Sequence, residues 1–226
     1  FDFSSFFDLN EDSPLLSGSL FAWSGLTSFF PNAPSNEFFP CLLTFLYSPD
    51  EEIRKSAYQS SAVIFRSMFY PNEKPTLLNE LCFSMTCEDS DDFAAVHDWG
   101  CYAITRAFDS NPGLVYQQNV LKTLLQRLPL KKKNIYELSD TYRVLSGLLT
   151  SQATLFNNAY AVKRMFVITS HLSKVDDVVS IDPFIDFIKP YSEDEHFMNS
   201  LNTYLAGQSP KIKERLRAIF KEQEEG

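Results

Sequence analysis

The chain has 226 residues, 44% of them apolar and 22% charged, which is ordinary for a folded domain with one sizeable core or about five helical hairpins. A formal net charge of −9 repels nucleic acid and attracts basic proteins, although solubility alone accounts for such a charge equally well. No apolar run reaches the roughly 18 residues that a membrane-spanning helix needs, and residues 1–7 lack the basic flank and long apolar core of a signal peptide.

In chain order, Ser17 to Phe30 reads as a helix with Leu20, Phe21, Trp23, Leu26 and Phe30 available for packing, broken by Pro31 and Pro34. Glu37 to Tyr47 reads as a short apolar helix with Pro40 in its first turn. Ser48-Pro49-Asp50-Glu51 starts the next helix, with Ser48 as cap, Pro49 in the first turn and the acids at the positive end of the dipole. Its inner face is Ile53, Ala57, Ser60 or Ser61, Ile64 and Met68. Thr76 to Met85 forms a helix around Leu77, Leu78, Leu81 and Phe83. A longer one starts at Ser90 or Asp91 and carries Phe93, Val96, Gly100, Ala103, Ile104 and Phe108. Glycine at the middle of that helix costs about 1 kcal/mol against alanine and lets a neighbouring helix come close.

Asp109 to Gly113 is a turn. Val115 to Leu128 presents Val120, Leu121, Leu124, Leu125 and Leu128, and Pro129 ends it. Asn134 or Ile135 opens a helix with Leu138, Tyr142, Leu145, Leu148 and Leu149. Asn158 to Leu172 follows, built on Ala161, Met165, Phe166 and Ile168. Asp182 to Ile188, His196 to Leu205 and Pro210 to Lys221 complete the chain, with 221–226 expected as a frayed tail.

Chemical motifs are weak. The glycine-rich phosphate loops and the HExxH zinc signature are absent, and His97, His171 and His196 are far apart. The adjacent His97 and Asp98 point in different directions on a helix, so an acid–base pair is not expected. Glu193-Asp194-Glu195 has no loop with alternating oxygen ligands. Cys41, Cys82, Cys87 and Cys101 include no CxxC pair and read as free, mostly buried thiols. Lys131-Lys132-Lys133 is the one basic run and reads as a solvated loop beside a helix's negative end. No catalytic residue, cofactor site or metal site is expected, and the chain does not read as an enzyme.

The organising signal is repetition. Related helix patterns begin at Ile53, Val96 and Leu138, 43 and then 42 residues apart, each in a longer helix that follows a shorter one. This spacing predicts an all-α fold: a right-handed superhelical solenoid of HEAT repeats, stacked antiparallel helical hairpins, spanning 1–226 as a single segment. The second helix of each hairpin then forms one layer. Asp50, Glu51, Glu52, Asp91, Asp92, Asp98, Glu137 and Asp140 are placed near one rim or inner face as candidate protein-binding residues. Weak attractions spaced along such a surface hold a basic client without a deep pocket.

Ser48-Pro49-Asp50-Glu51-Glu52-Ile53-Arg54-Lys55-Ser56-Ala57-Tyr58 resembles the paired-helix junction of nuclear transport receptors of the importin-beta superfamily, closest to the importin-five and importin-four branch. Leu124-Leu125-Gln126-Arg127-Leu128-Pro129-Leu130 is similar to that branch's Leu-Pro-Leu ending, and the helices at 142–149 and 212–216 fit in order. The resemblance spans most of 20–221. The chain departs from the branch at Lys131-Lys132-Lys133, where acids are usual, and at the serine-rich run 56–61.

This resemblance implies the C-terminal part of a longer receptor, in keeping with a start at Phe1. It implies basic cargo such as ribosomal proteins or histones, and contact with nuclear pore proteins. It also implies shuttling between cytoplasm and nucleus, and cargo release by GTP-bound Ran acting through N-terminal repeats that lie outside this sequence. The competing reading is a general HEAT-repeat scaffold outside nuclear transport.

Overall fold

In the computed structural model the described residues are 17–18, 20, 22, 24–25, 35–67, 71–87, 93–131, 134–175, 179–206 and 210–224. Among them there is no strand. Residues 17, 18, 20, 22, 24 and 25 are helical, and ten further α-helices follow. The chain divides into two compact units, Phe1–Asn134 and Ile135–Gly226. The division falls inside the third expected hairpin.

The first unit holds α1 (Ser35–Phe45), α2 (Glu51–Arg66), α3 (Lys74–Thr86), α4 (Ala94–Ser110), a 3-10 segment (Pro112–Tyr116) and α5 (Gln118–Arg127). α1 packs on α2 and α3 on α4, as two successive hairpins. Across the hairpins, α2 lies against α4 in the most extensive helix–helix packing of the unit, while α1 touches α3 and α3 touches α5. The first helices thus form one row and α2 with α4 a second.

Local chemistry sets the helix boundaries. The cap of α2 is Asp50 and not Ser48: one Asp50 carboxylate oxygen accepts from the amides of Glu52 at 2.9 Å and Ile53 at 3.0 Å. A carboxylate serves two amides and complements the dipole better than a hydroxyl. Ser48 instead accepts from the Asp50 amide at 3.1 Å, and Pro49 stays outside the helix. α1 begins at Ser35, so Pro40 sits beyond its first turn. That placement is tolerated although proline has no amide to return to the preceding turn.

α2 is buried almost all round. Ala57, Ser60, Ser61 and Ile64 of its expected face are buried, but so are Arg54, Tyr58, Ala62 and Phe65, while Ile53 is half-buried. Met68 lies outside the described residues. Small hydroxyl residues suit this crowding: Ser61 donates to the Ala57 carbonyl at 2.8 Å and Ser60 to the Leu20 carbonyl at 3.3 Å. Each satisfies its own buried oxygen.

In α3, Leu77, Leu78, Leu81 and Met85 are buried, but Phe83 is 59% exposed, contrary to its expected place in the core. The expected residues Val96, Gly100, Ala103, Ile104 and Phe108 of α4 are buried. So are Val120, Leu121, Leu124, Leu125 and Leu128 of α5 and its end. Each buried Val, Leu, Ile or Phe side chain among them contributes roughly 1.5–3 kcal/mol by leaving water. After α5, Leu128 and Leu130 both turn inward around a cis Leu128–Pro129 bond.

The second unit holds α6 (Asp140–Gln152), a 3-10 turn (Ala153–Phe156), α7 (Ala159–Leu172), α8 (Asp182–Ser192), α9 (Glu195–Ala206) and α10 (Pro210–Glu224). α6 begins at Asp140, later than expected; Ile135 and Leu138 are fully buried, but in the turns before it. Tyr142, Leu145, Leu148 and Leu149 are buried, and the Tyr142 ring meets Phe184 of α8 edge-on, centroids 6.5 Å apart. Asn158 caps α7 by accepting from the Ala161 amide at 2.9 Å. α8 packs on α6, α7 and α9, and α10 on α7 and α9. α10 runs to Glu224, so helical backbone reaches into the expected frayed tail.

Candidate functional site

The expected acidic residues do not behave alike. Glu51 and Glu52 are exposed in the first turn of α2, and Glu52 lies 3.7 Å from Lys55 in a loose ion pair. Such a surface pair holds a carboxylate weakly. Asp50 is half-buried and engaged as the α2 cap. In the second unit, Glu137 is exposed and Asp140 is half-buried, with a carboxylate oxygen 3.0 Å from Arg143 Nε. Asp91 and Asp92 lie outside the described residues.

Asp98 is different. It is 2% exposed, and one carboxylate oxygen accepts from the Lys131 amide at 2.9 Å and the Asn134 side-chain amide at 2.8 Å. The same Asn134 nitrogen donates to the Ala95 carbonyl at 3.1 Å. Asp98 therefore pins the segment after α5 onto α4. A buried carboxylate held this way is structural and is not presented to a client. Of the acids expected from the sequence in the first unit, the solvent-facing ones narrow to Glu51 and Glu52, with Asp50 at their base.

A second feature was not read from the sequence. α3 and α5 flank an open groove of about 790 Å³. On α3 its lining is Asn79, Glu80, Cys82, Phe83 and Thr86; on α5 it is Asn119, Lys122, Thr123 and Gln126. Both sets recur at helical spacing, so each is one face of its helix. Tyr47, beyond the end of α1, donates to a Glu80 carboxylate oxygen at 2.6 Å, and its ring lies 6.3 Å from that of Phe83. Burial and the Glu80 bond both raise the Tyr47 hydroxyl pKa. Burial pushes the Cys82 thiol up to about 12 against a smaller opposing hydrogen bond with Thr123. The sequence signal for this groove is Phe83 itself, a large ring on the polar side of α3.

Among the described residues no group of three or more His, Cys, Asp or Glu is placed to hold a metal ion. No helix among them is long and apolar enough to cross a membrane. Cys41, Cys82, Cys87 and Cys101 are free thiols: Cys82 and Cys101 buried, Cys41 half-buried, Cys87 exposed. The class defined here is an all-α protein of packed helical hairpins with surface grooves. No protein-family model matches the chain, and no curated protein matches it.

Proposed function

We propose that this chain is a HEAT-type protein-binding segment of a nuclear import receptor, and that its exposed acids help to hold basic cargo. The observation that carries the reading is the packing order of the first unit. Successive hairpins α1–α2 and α3–α4 stack with like helices together, α2 on α4 and α1 on α3. Stacked hairpins of this kind expose extended faces, and such faces bind proteins through many modest contacts. The resemblance of residues 48–58 and 124–130 to importin-beta receptors supplies the transport role. Glu51 and Glu52, exposed beside the α2 start, fit a basic client.

Co-precipitation of the endogenous protein carrying this sequence, with and without GTP-loaded Ran, tests the proposal. Basic proteins such as histones or ribosomal proteins are expected in the bound fraction and are released by Ran-GTP. Partners that are not basic, or that Ran-GTP leaves in place, contradict the transport reading and favour a general HEAT-repeat scaffold.

A further inference from the structure

We propose that Ser200 of α9 is a phosphorylation site, and that its phosphate is held by Lys163 and Arg164 of α7. Three observations support this. The first is geometry. Ser200 is exposed, and its Oγ accepts from Lys163 Nζ at 2.7 Å. One turn further along α9, the Tyr204 hydroxyl accepts from Arg164 Nη1 at 3.3 Å. Lys163 Nζ also lies 5.8 Å from the centroid of the Tyr204 ring. Residues four apart on a helix share a face. Ser200 and Tyr204 thus turn one oxygen each toward two adjacent cations of α7. A phosphate on Ser200 Oγ stands beside the ammonium group and one turn from the guanidinium.

The second is charge. Lys163 has no carboxylate partner among the described residues; its Nζ meets the Ser200 oxygen and the Tyr204 ring. No residue three or four positions from Ser200 on α9, or from Lys163 and Arg164 on α7, is acidic. A phosphoserine carries about −1.5 to −2 charges and three acceptor oxygens. Full opposite charges then meet where an ammonium group now faces a neutral oxygen, and the phosphate ties α9 to α7.

The third is access. Of the 12 residues of α9 only Leu201 and Leu205 are fully buried, whereas α7 buries nine of its 14. A helix with so few buried side chains opens locally at low cost, and the open segment can enter a protein kinase. There the Ser200 oxygen attacks the terminal phosphorus of a nucleoside triphosphate. The new Oγ–P bond forms, the bond from phosphorus to the bridging oxygen breaks and nucleoside diphosphate leaves. The kinase's carboxylate takes the hydroxyl proton. Thr203, the other exposed hydroxyl of α9, donates to the Asn199 carbonyl at 3.1 Å and meets no cation.

The whole chain carrying phosphoserine at position 200, introduced during synthesis, tests the clamp by amide hydrogen exchange. Exchange across 197–206 is expected to slow on the order of tenfold against the unmodified chain. Lys163→Gln, at a half-buried position, is expected to remove most of that protection, and circular dichroism checks that the variant folds. Exchange that is unchanged or faster with phosphoserine, or slowed equally in Lys163→Gln, overturns the proposal.

Phosphopeptide mapping of the endogenous protein, isolated with phosphatase inhibitors, tests the modification itself. Phosphate is expected on Ser200. Phosphate on Thr203 with none on Ser200, or no phosphate on α9, overturns the assignment. Neither measurement involves cargo or Ran, so each outcome is separate from that of the import reading.

Discussion

Gly100 of α4 faces the thioether of Met85 on α3 so closely that a β-carbon at position 100 would lie 2.5 Å from the sulfur and 2.9 Å from the terminal methyl. Met85 is fully buried, so its flexible end has little room to retreat. Overpacking of this sort costs about 1–3 kcal/mol, against a helix-propensity gain of about 1 kcal/mol for replacing glycine. Gly100→Val adds the larger, β-branched side chain and is expected to lower unfolding free energy by about 2 kcal/mol or more in urea titrations. Gly147 of α6 is the internal comparison, since nothing lies within 4 Å of its β-carbon position and it is exposed. Gly147→Ala is expected to stabilise by roughly 0.5–1 kcal/mol. Equal effects at the two sites would contradict the close α3–α4 approach.

The Asp98 clamp predicts a stability effect without a binding effect. Asp98→Ala leaves the Lys131 amide and the Asn134 side chain without their buried acceptor, at a cost of about 1–3 kcal/mol. Amide hydrogen exchange at 128–131 is expected to quicken. Basic-cargo affinity, measured well below the unfolding midpoint, is expected to be unchanged. A variant as stable as the parent but weaker for cargo would place Asp98 at the surface instead.

The four cysteines are expected to divide by burial. Under native conditions at pH 8, iodoacetamide alkylates Cys87 first, while Cys82 and Cys101 stay protected until denaturant is added. The Cys82 thiol also adds to alkaline sensitivity. Its folded pKa, about 12, lies above the ordinary 9.0. The folded state therefore holds this proton where the unfolded state releases it, and the contribution present below pH 9 is lost as pH climbs toward 12. Cys82→Ala is expected to flatten the fall in stability across that window. Mass spectrometry of the alkylated peptides and denaturation at stepped pH check the two parts.

Periodicity made the interior of most helices legible before their ends. Val120, Leu121, Leu124, Leu125 and Leu128 form an apolar stripe that fits only one helix face, and all five are buried. Ends depend on finer competition. Ser48 and Asp50 both suit a cap, and the carboxylate prevails because two amides converge on it. The start of α6 is displaced because Ile135 and Leu138 are buried by turns as fully as by a helix.

The candidate site was less legible, since it depends on contacts distant in sequence. Nothing around Asp98 reveals that acceptors are needed by groups 33 and 36 residues further on. Arg54 likewise looks like a surface cation. It is 1% exposed, donates to the Ser48 carbonyl at 2.7 Å and lies 4.1 Å from the Phe93 ring centroid. The α3–α5 groove combines two largely polar faces, and Phe83, its one large ring, reads from the sequence as core although it is exposed.

The central claim is that exposed acids on a stack of helical hairpins hold basic protein. Its most direct measurement is the affinity of the whole chain for a basic import-signal peptide, at rising salt and with Glu51→Lys plus Glu52→Lys. The account predicts saturable binding that weakens with salt and falls on the order of tenfold in the charge-reversed variant. No binding at low salt, or an affinity that ignores both salt and charge reversal, would contradict it.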